Sequence, residues 1–94
     1  MRPVEPVLLT RPTADRPGNV VIGSGSRKRY YEVDELTPGS GVFVLTRPYP
    51  RQTKCVTGLG DDPRHDTCDC VAFHRLGRCC HVAALRQLRD AGEL

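Results

Sequence analysis

Hydrophobic and polar positions alternate most cleanly between Arg27 and Leu36. Tyr31 and Val33 fall on one side of an extended chain, and Glu32 and Asp34 fall on the other. Alternation of this kind, in aromatic and β-branched residues, predicts a half-buried strand. Val42-Phe43-Val44-Leu45-Thr46 predicts a second strand, joined to the first by a turn at Thr37-Pro38-Gly39-Ser40-Gly41. Pro48 and Pro50 make residues 47–52 a loop, and Thr53 to Thr57 can form a third, short strand. Val20, Val21 and Ile22 form either a further short strand or a cover for the core edge, before a flexible Gly23-Ser24-Gly25-Ser26 turn. Residues 1–19 carry Pro3, Pro6, Pro12 and Pro17 with little periodicity, which predicts an extended, poorly ordered arm.

Near the other end the period changes. Val82, Leu85 and Leu88 recur at three-residue spacing within a run of strong helix formers, so a helix is expected over about residues 81–91. Gly92 stands where a C-terminal cap is wanted. A helix this short is marginal alone in water and needs something to dock on. No internal repeat or second domain is visible, so residues 20–94 are expected to form one domain behind the arm.

Composition sharpens the docking question. The chain has 94 residues, 38% of them hydrophobic, with no Trp and a single Met. A core built from so little needs a disulfide, a metal or a partner to hold it. No segment approaches the ~20 apolar residues that span a bilayer, and Val7-Leu8-Leu9 is too short for a signal-peptide core. An intracellular, cytoplasmic location without membrane contact is therefore expected. In a reducing compartment five cysteines point to metal ligands or free thiols rather than disulfides.

The candidate chemistry lies in residues 68–81, Cys68-Asp69-Cys70, eight intervening residues, then Cys79-Cys80-His81. Zinc takes four thiolate or imidazole ligands in a tetrahedron. Cys68 and Cys70 can supply two from one bend, and Gly77 lets the chain turn back so that Cys79 and His81 supply the other two. Residues two apart on a helix diverge by about 200°. Cys79 must therefore precede the helix while His81 occupies its first turn, and one zinc ion then pins the helix start. Cys80 competes with Cys79 for the third thiolate position, and Cys55 is either a core residue or a thiol near the metal. His65 and His74 complete no better tetrahedron and are expected in solvent. Three thiolates and Zn²⁺ leave a net negative charge, for which Arg75, Arg78 and Arg86 are either nearby donors or ordinary solvated side chains.

The spacing Cys68-x-Cys70-x8-Cys79-x-His81 resembles the SWIM zinc finger. So do Phe73, a glycine before the second pair, the helix that the second pair opens, and the strands that precede it. The similarity covers roughly residues 28–91. It implies an α+β fold: a short antiparallel β-meander, a zinc-binding hairpin and a C-terminal helix around one structural zinc. Roles implied for the family are DNA binding or protein contact.

Fourteen Lys and Arg against eleven Asp and Glu give a net charge of +3, mildly basic. Arg27, Lys28, Arg29, Arg47, Arg51, Arg86 and Arg89 are the candidate phosphate contacts, with Lys54 in the same loop region. The expected function is a nucleic-acid-binding adaptor, with DNA the more favoured ligand. The alternative is a protein–protein interaction module or a small subunit of a larger nucleic-acid-processing complex. No small-molecule substrate is expected. Four protein ligands close the metal to water, so catalysis is not expected either.

Overall fold

The computed structural model describes residues 6–13, 15–23, 28–37, 39–48 and 52–94. Six strands form one antiparallel sheet in which each strand pairs with its neighbours in the chain: β1 (Val7–Thr10), β2 (Gly18–Ile22), β3 (Arg29–Glu35), β4 (Val42–Arg47), β5 (Thr53–Gly58) and β6 (Thr67–Cys68). A 3-10 turn, Pro63–His65, precedes β6, and two helices follow it, α1 (Val71–Leu76) and α2 (Cys80–Asp90).

The alternation in β3 does what the pattern requires. Tyr31 and Val33 are buried, while Asp34 is exposed and Glu32 half-buried. Val33 pairs with Leu45 and Leu45 with Cys55, so the inward positions form rows across the sheet. α2 lies over those rows. Its Ala84, Leu85 and Leu88 close a core with Val20, Ile22, Val33, Phe43 and Leu45. One helix on one face of an antiparallel sheet is a two-layer α+β arrangement.

Two expectations need correction. Residues 1–19 are not simply an arm, because Val7–Thr10 pairs with β2 and Leu8 packs against the core. The prolines bound this stretch rather than interrupt it, which an edge strand tolerates. Gly18 makes the approach feasible. A Cβ there would sit 2.4 Å from the Thr10 carbonyl oxygen and 2.6 Å from the Pro12 nitrogen. Residues 1–5 and 14 of the expected arm lie outside the described residues, as do Ser24, Gly25 and Ser26 of the expected turn and Pro38.

The zinc-binding hairpin expected between Cys70 and Cys79 is a short helix instead. Cys70 is extended at its N-cap, and Gly77 ends it in the left-handed region with φ 70°, its N–H donating to the Phe73 carbonyl at 2.8 Å. Gly77 thus turns the chain as a helix cap, not as a hairpin bend.

The loop between β5 and β6 is fastened to α2 by charge. Asp66 is buried beneath Arg86, whose Nε donates to Oδ2 at 2.9 Å and whose Nη2 donates to the Gly60 carbonyl at 2.8 Å. The Gly60 N–H donates to Asp66 Oδ1 at 2.9 Å. Burial opposes ionisation of Asp66, but hydrogen bonds from Arg86 and Gly60 outweigh it and hold the carboxyl below its ordinary range. Among the described residues no helix is long and apolar enough to cross a membrane.

Candidate metal centre

β6 delivers the first ligand. Thr57 and Cys68 are paired across β5 and β6, both facing the helix side, and their side chains lie 3.4 Å apart. Asp69 then ties the departing chain to β5: its N–H donates to the Val56 carbonyl at 3.2 Å, and its carboxylate accepts the Val56 N–H at 2.9 Å. Fixed in that way, the backbone turns so that Cys70, the N-cap of α1, faces back toward Cys68. α1 and Gly77 carry the chain round to Cys79. Cys79 is extended (φ −157°) and caps α2, its sulfur accepting the Val82 N–H at 3.5 Å. His81 follows in the first turn. The placement of Cys79 before the helix and His81 within it is the arrangement that the two-residue spacing demands.

Ligand atoms of Cys68, Cys70, Cys79 and His81 all lie within 4.8 Å of one another, and Cys68 Sγ stands 3.9 Å from His81 Nδ1. A tetrahedral metal with ~2.3 Å bonds to sulfur requires ligand atoms about 3.8 Å apart. These four side chains therefore sit close enough to hold a metal ion. Cys80 is not in the group.

The protonation tendencies divide the ligands. Burial pushes the Cys79 thiol well up, and hydrogen bonding to Cys70 adds to the rise. Burial also acts against ionisation of Cys70, but the Phe73 N–H, the neighbouring Cys79 and Cys68 thiols and the Ala72 N–H bring it below the usual range. Burial and then the charge of Arg29 lower His81, which favours the neutral imidazole that a metal needs. The surroundings thus ease ionisation of Cys70, oppose that of Cys79 and favour the neutral form of His81.

The surroundings of His81 were not legible in sequence. Nε2 lies 3.3 Å from the Tyr31 hydroxyl, and the two rings meet edge to face with centroids 5.4 Å apart. Such an outer partner fixes which imidazole nitrogen faces the metal. Burial first, and then Cys80, raise the Tyr31 hydroxyl, against hydrogen bonding from Arg29. Arg29, not Arg86, is thus the cation at this end. Arg75 and Arg78 are exposed, and Arg86 belongs to Asp66. Cys55 is the expected core residue and stands outside the four-residue group. It is buried in the core, with its thiol pushed up to about 12 by burial, and its sulfur lies within 4.8 Å of Cys68 and Asp69 ligand atoms. His65 and His74 join no ligand group among the described residues.

The candidate phosphate contacts separate into two sets. Lys28, Arg29 and Arg47 line one concavity of about 610 Å³, with Ile22, Gly23, Tyr31 and Cys80. Arg86 and Arg89 lie elsewhere, Arg86 on Asp66 and Arg89 3.3 Å from the Leu59 carbonyl. Arg27 and Arg51 lie outside the described residues. The chain matches no family model, no curated protein sequence and no solved structure.

Proposed function

We propose that this chain is a zinc-stapled, SWIM-type module that binds nucleic acid, with DNA the favoured ligand, through its backbone phosphates. The donor set supports zinc: three cysteines and a histidine match its structural sites, and four protein ligands leave no position for water or substrate. The metal would hold α1 and the start of α2 and supply rigidity rather than catalysis. SWIM-type kinship rests on the Cys-x-Cys-x8-Cys-x-His spacing and on the helix that its second pair opens.

The observation that carries the nucleic-acid reading is the gathering of Lys28, Arg29 and Arg47 in one recess beside the metal centre. Cations placed together neutralise adjacent phosphates and release counterions, which scattered cations do less well. Titration of a labelled DNA oligonucleotide tests the reading. With three phosphates neutralised, affinity should fall about 40-fold between ~50 and ~200 mM salt. Flat salt dependence, or no complex at micromolar protein, would sink it. Native mass spectrometry of wild type, Cys79→Ser and Cys80→Ser tests the metal: one zinc is expected in wild type and Cys80→Ser, and a depleted site in Cys79→Ser.

A protein-contact reading draws on a different surface. Val7, Tyr30 and Val56 are 54%, 44% and 40% exposed and share the sheet face that α2 leaves uncovered. Stoichiometric co-purification of a protein, abolished by Val56→Lys but not by Arg29→Ala, would favour it.

A further inference from the structure

The recess beside the metal arises from a mismatch between the sheet and its helix. Side chains two apart on a strand point the same way. Arg29, Tyr31 and Val33 therefore share the face that α2 covers, and Ile22, the partner of Arg29 across the β2–β3 pair, is buried on it. In β4, Leu45 and Arg47 continue the same face. α2 begins at Cys80, which lies with Arg29 and Arg47 around one concavity at the end of the helix. Where the helix covers the sheet the inward positions are Val33 and Leu45; beyond it they are Arg29 and Arg47. The inner face thus changes from apolar to cationic at the point where its cover stops. Lys28 adds a third positive charge at the rim, and Cys80 forms the wall toward the metal.

Tyr31 joins this recess to the ligand cluster. It lines the recess on one side. On the other, its hydroxyl meets His81 Nε2 at 3.3 Å, while His81 Nδ1 is turned toward Cys68. An imidazole that gives Nδ1 to a metal keeps its proton on Nε2. An Nε2 proton donated to the Tyr31 oxygen leaves the phenolic O–H free of His81, so that it can turn toward the recess that Tyr31 lines.

We infer that the recess formed by Lys28, Arg29, Arg47 and Tyr31 seats a phosphodiester of the bound nucleic acid, and that His81 ligation sets its affinity through the Tyr31 hydroxyl. This rests on the nucleic-acid reading above and adds to it a location, a neutral donor among the cations and a dependence on the metal. Nucleic-acid affinity then depends on a filled metal site even though no metal ligand touches the phosphate.

The test uses the full chain loaded with zinc, with occupancy checked by native mass spectrometry. The probes are a labelled single-stranded DNA oligonucleotide and inorganic pyrophosphate. Arg29→Ala and Arg47→Ala should each weaken the oligonucleotide and reduce the salt slope by about one. Tyr31→Phe keeps the ring against His81 and should weaken binding about 10-fold, as loss of a hydrogen bond to a charged group does, with the salt slope unchanged. His81→Cys retains four ligands but loses the Nε2 proton that orients the Tyr31 hydroxyl, and should weaken binding by less than Tyr31→Phe, which loses the donor itself. Lys54→Ala, on the opposite sheet face, provides the reference for a cation outside the recess. Tyr31→Phe and His81→Cys binding like wild type while Arg29→Ala is weakened would overturn the coupling. An oligonucleotide bound normally by both arginine variants would overturn the seat and leave the nucleic-acid reading standing. Failure of wild type to bind the oligonucleotide, with pyrophosphate still shifting the Arg29 and Arg47 side-chain resonances, would overturn that reading and leave an anion seat in place.

Discussion

The two helices of this chain are held in opposite ways. α2 has eleven residues, three of them buried, and a cysteine sulfur that accepts a backbone N–H at its first turn. α1 has six residues, none of them buried. Only half-buried Phe73 packs against the core from it. A six-residue helix is far below the length that persists alone in water. α1 is bounded by Cys70 and Cys79, two of the four side chains whose ligand atoms come together. α2 exists because its apolar stripe finishes a core. Two neighbouring segments of like secondary structure therefore differ in what can hold them: α2 has burial, and α1 has little beyond the ligand cluster at its ends.

Metal removal should break that pairing most severely. In chelator, amide exchange across residues 69–79 should rise to the rate of an unfolded chain, and α2 should loosen from its first turn, while β2 to β5 stay protected. Persistent protection of α1 without metal would refute the division. Metal binding supplies much of the folding energy of small zinc domains, so this is the largest effect expected.

Leu85→Ala should come next. Leu85 is fully buried, and its truncation should cost ~2–5 kcal/mol in urea unfolding of the metal-loaded chain. Leu76→Ala on α1, at 66% exposure, should stay within about 0.5 kcal/mol. Equal costs at both sites would end the comparison.

Asp66→Asn probes the polar fastening of α2. The folded-state carboxyl is depressed, so its contribution is complete above the unfolded value of ~3.9 and disappears as pH falls through the lower folded value. The melting temperature of the variant should lie below wild type near neutral pH. The gap should narrow only in that acid window; a gap that narrows from pH 7 downward would assign the effect to another group.

Gly77→Ala is expected to be the mildest. The residue sits at φ 70° with nothing within 4 Å of an added Cβ, so only backbone strain is introduced. A cost of about 1 kcal/mol should appear as roughly fivefold weaker metal in competition with a chromophoric chelator.

What could be read from the chain follows the same division. The alternation in β3 and β4 and the stripe of α2 were visible because burial imposes a local period. The four clustered side chains were visible because tetrahedral coordination would require such spacing. α1 escaped because six residues that bury none of their own number carry no period, and β1 escaped because its flanking prolines masked a four-residue strand. The contacts of Arg86 with Asp66, and of Tyr31 with His81, join positions 20 and 50 residues apart. Neither spacing nor periodicity encodes such pairs; only the folded sheet brings them together.

The sequential order of the strands has a consequence for the chain in the cell. Every strand pairs with its neighbour in sequence, so the meander closes only short loops and can assemble early. Its inner rows stay uncovered until α2 docks, and the docking end of α2 carries two of the four ligands. A chain short of metal would lose the ligation at that end and open the inner face there to solvent, the kind of exposure that chaperones and proteases recognise. Cellular abundance of this protein should accordingly track metal supply, through turnover rather than through synthesis.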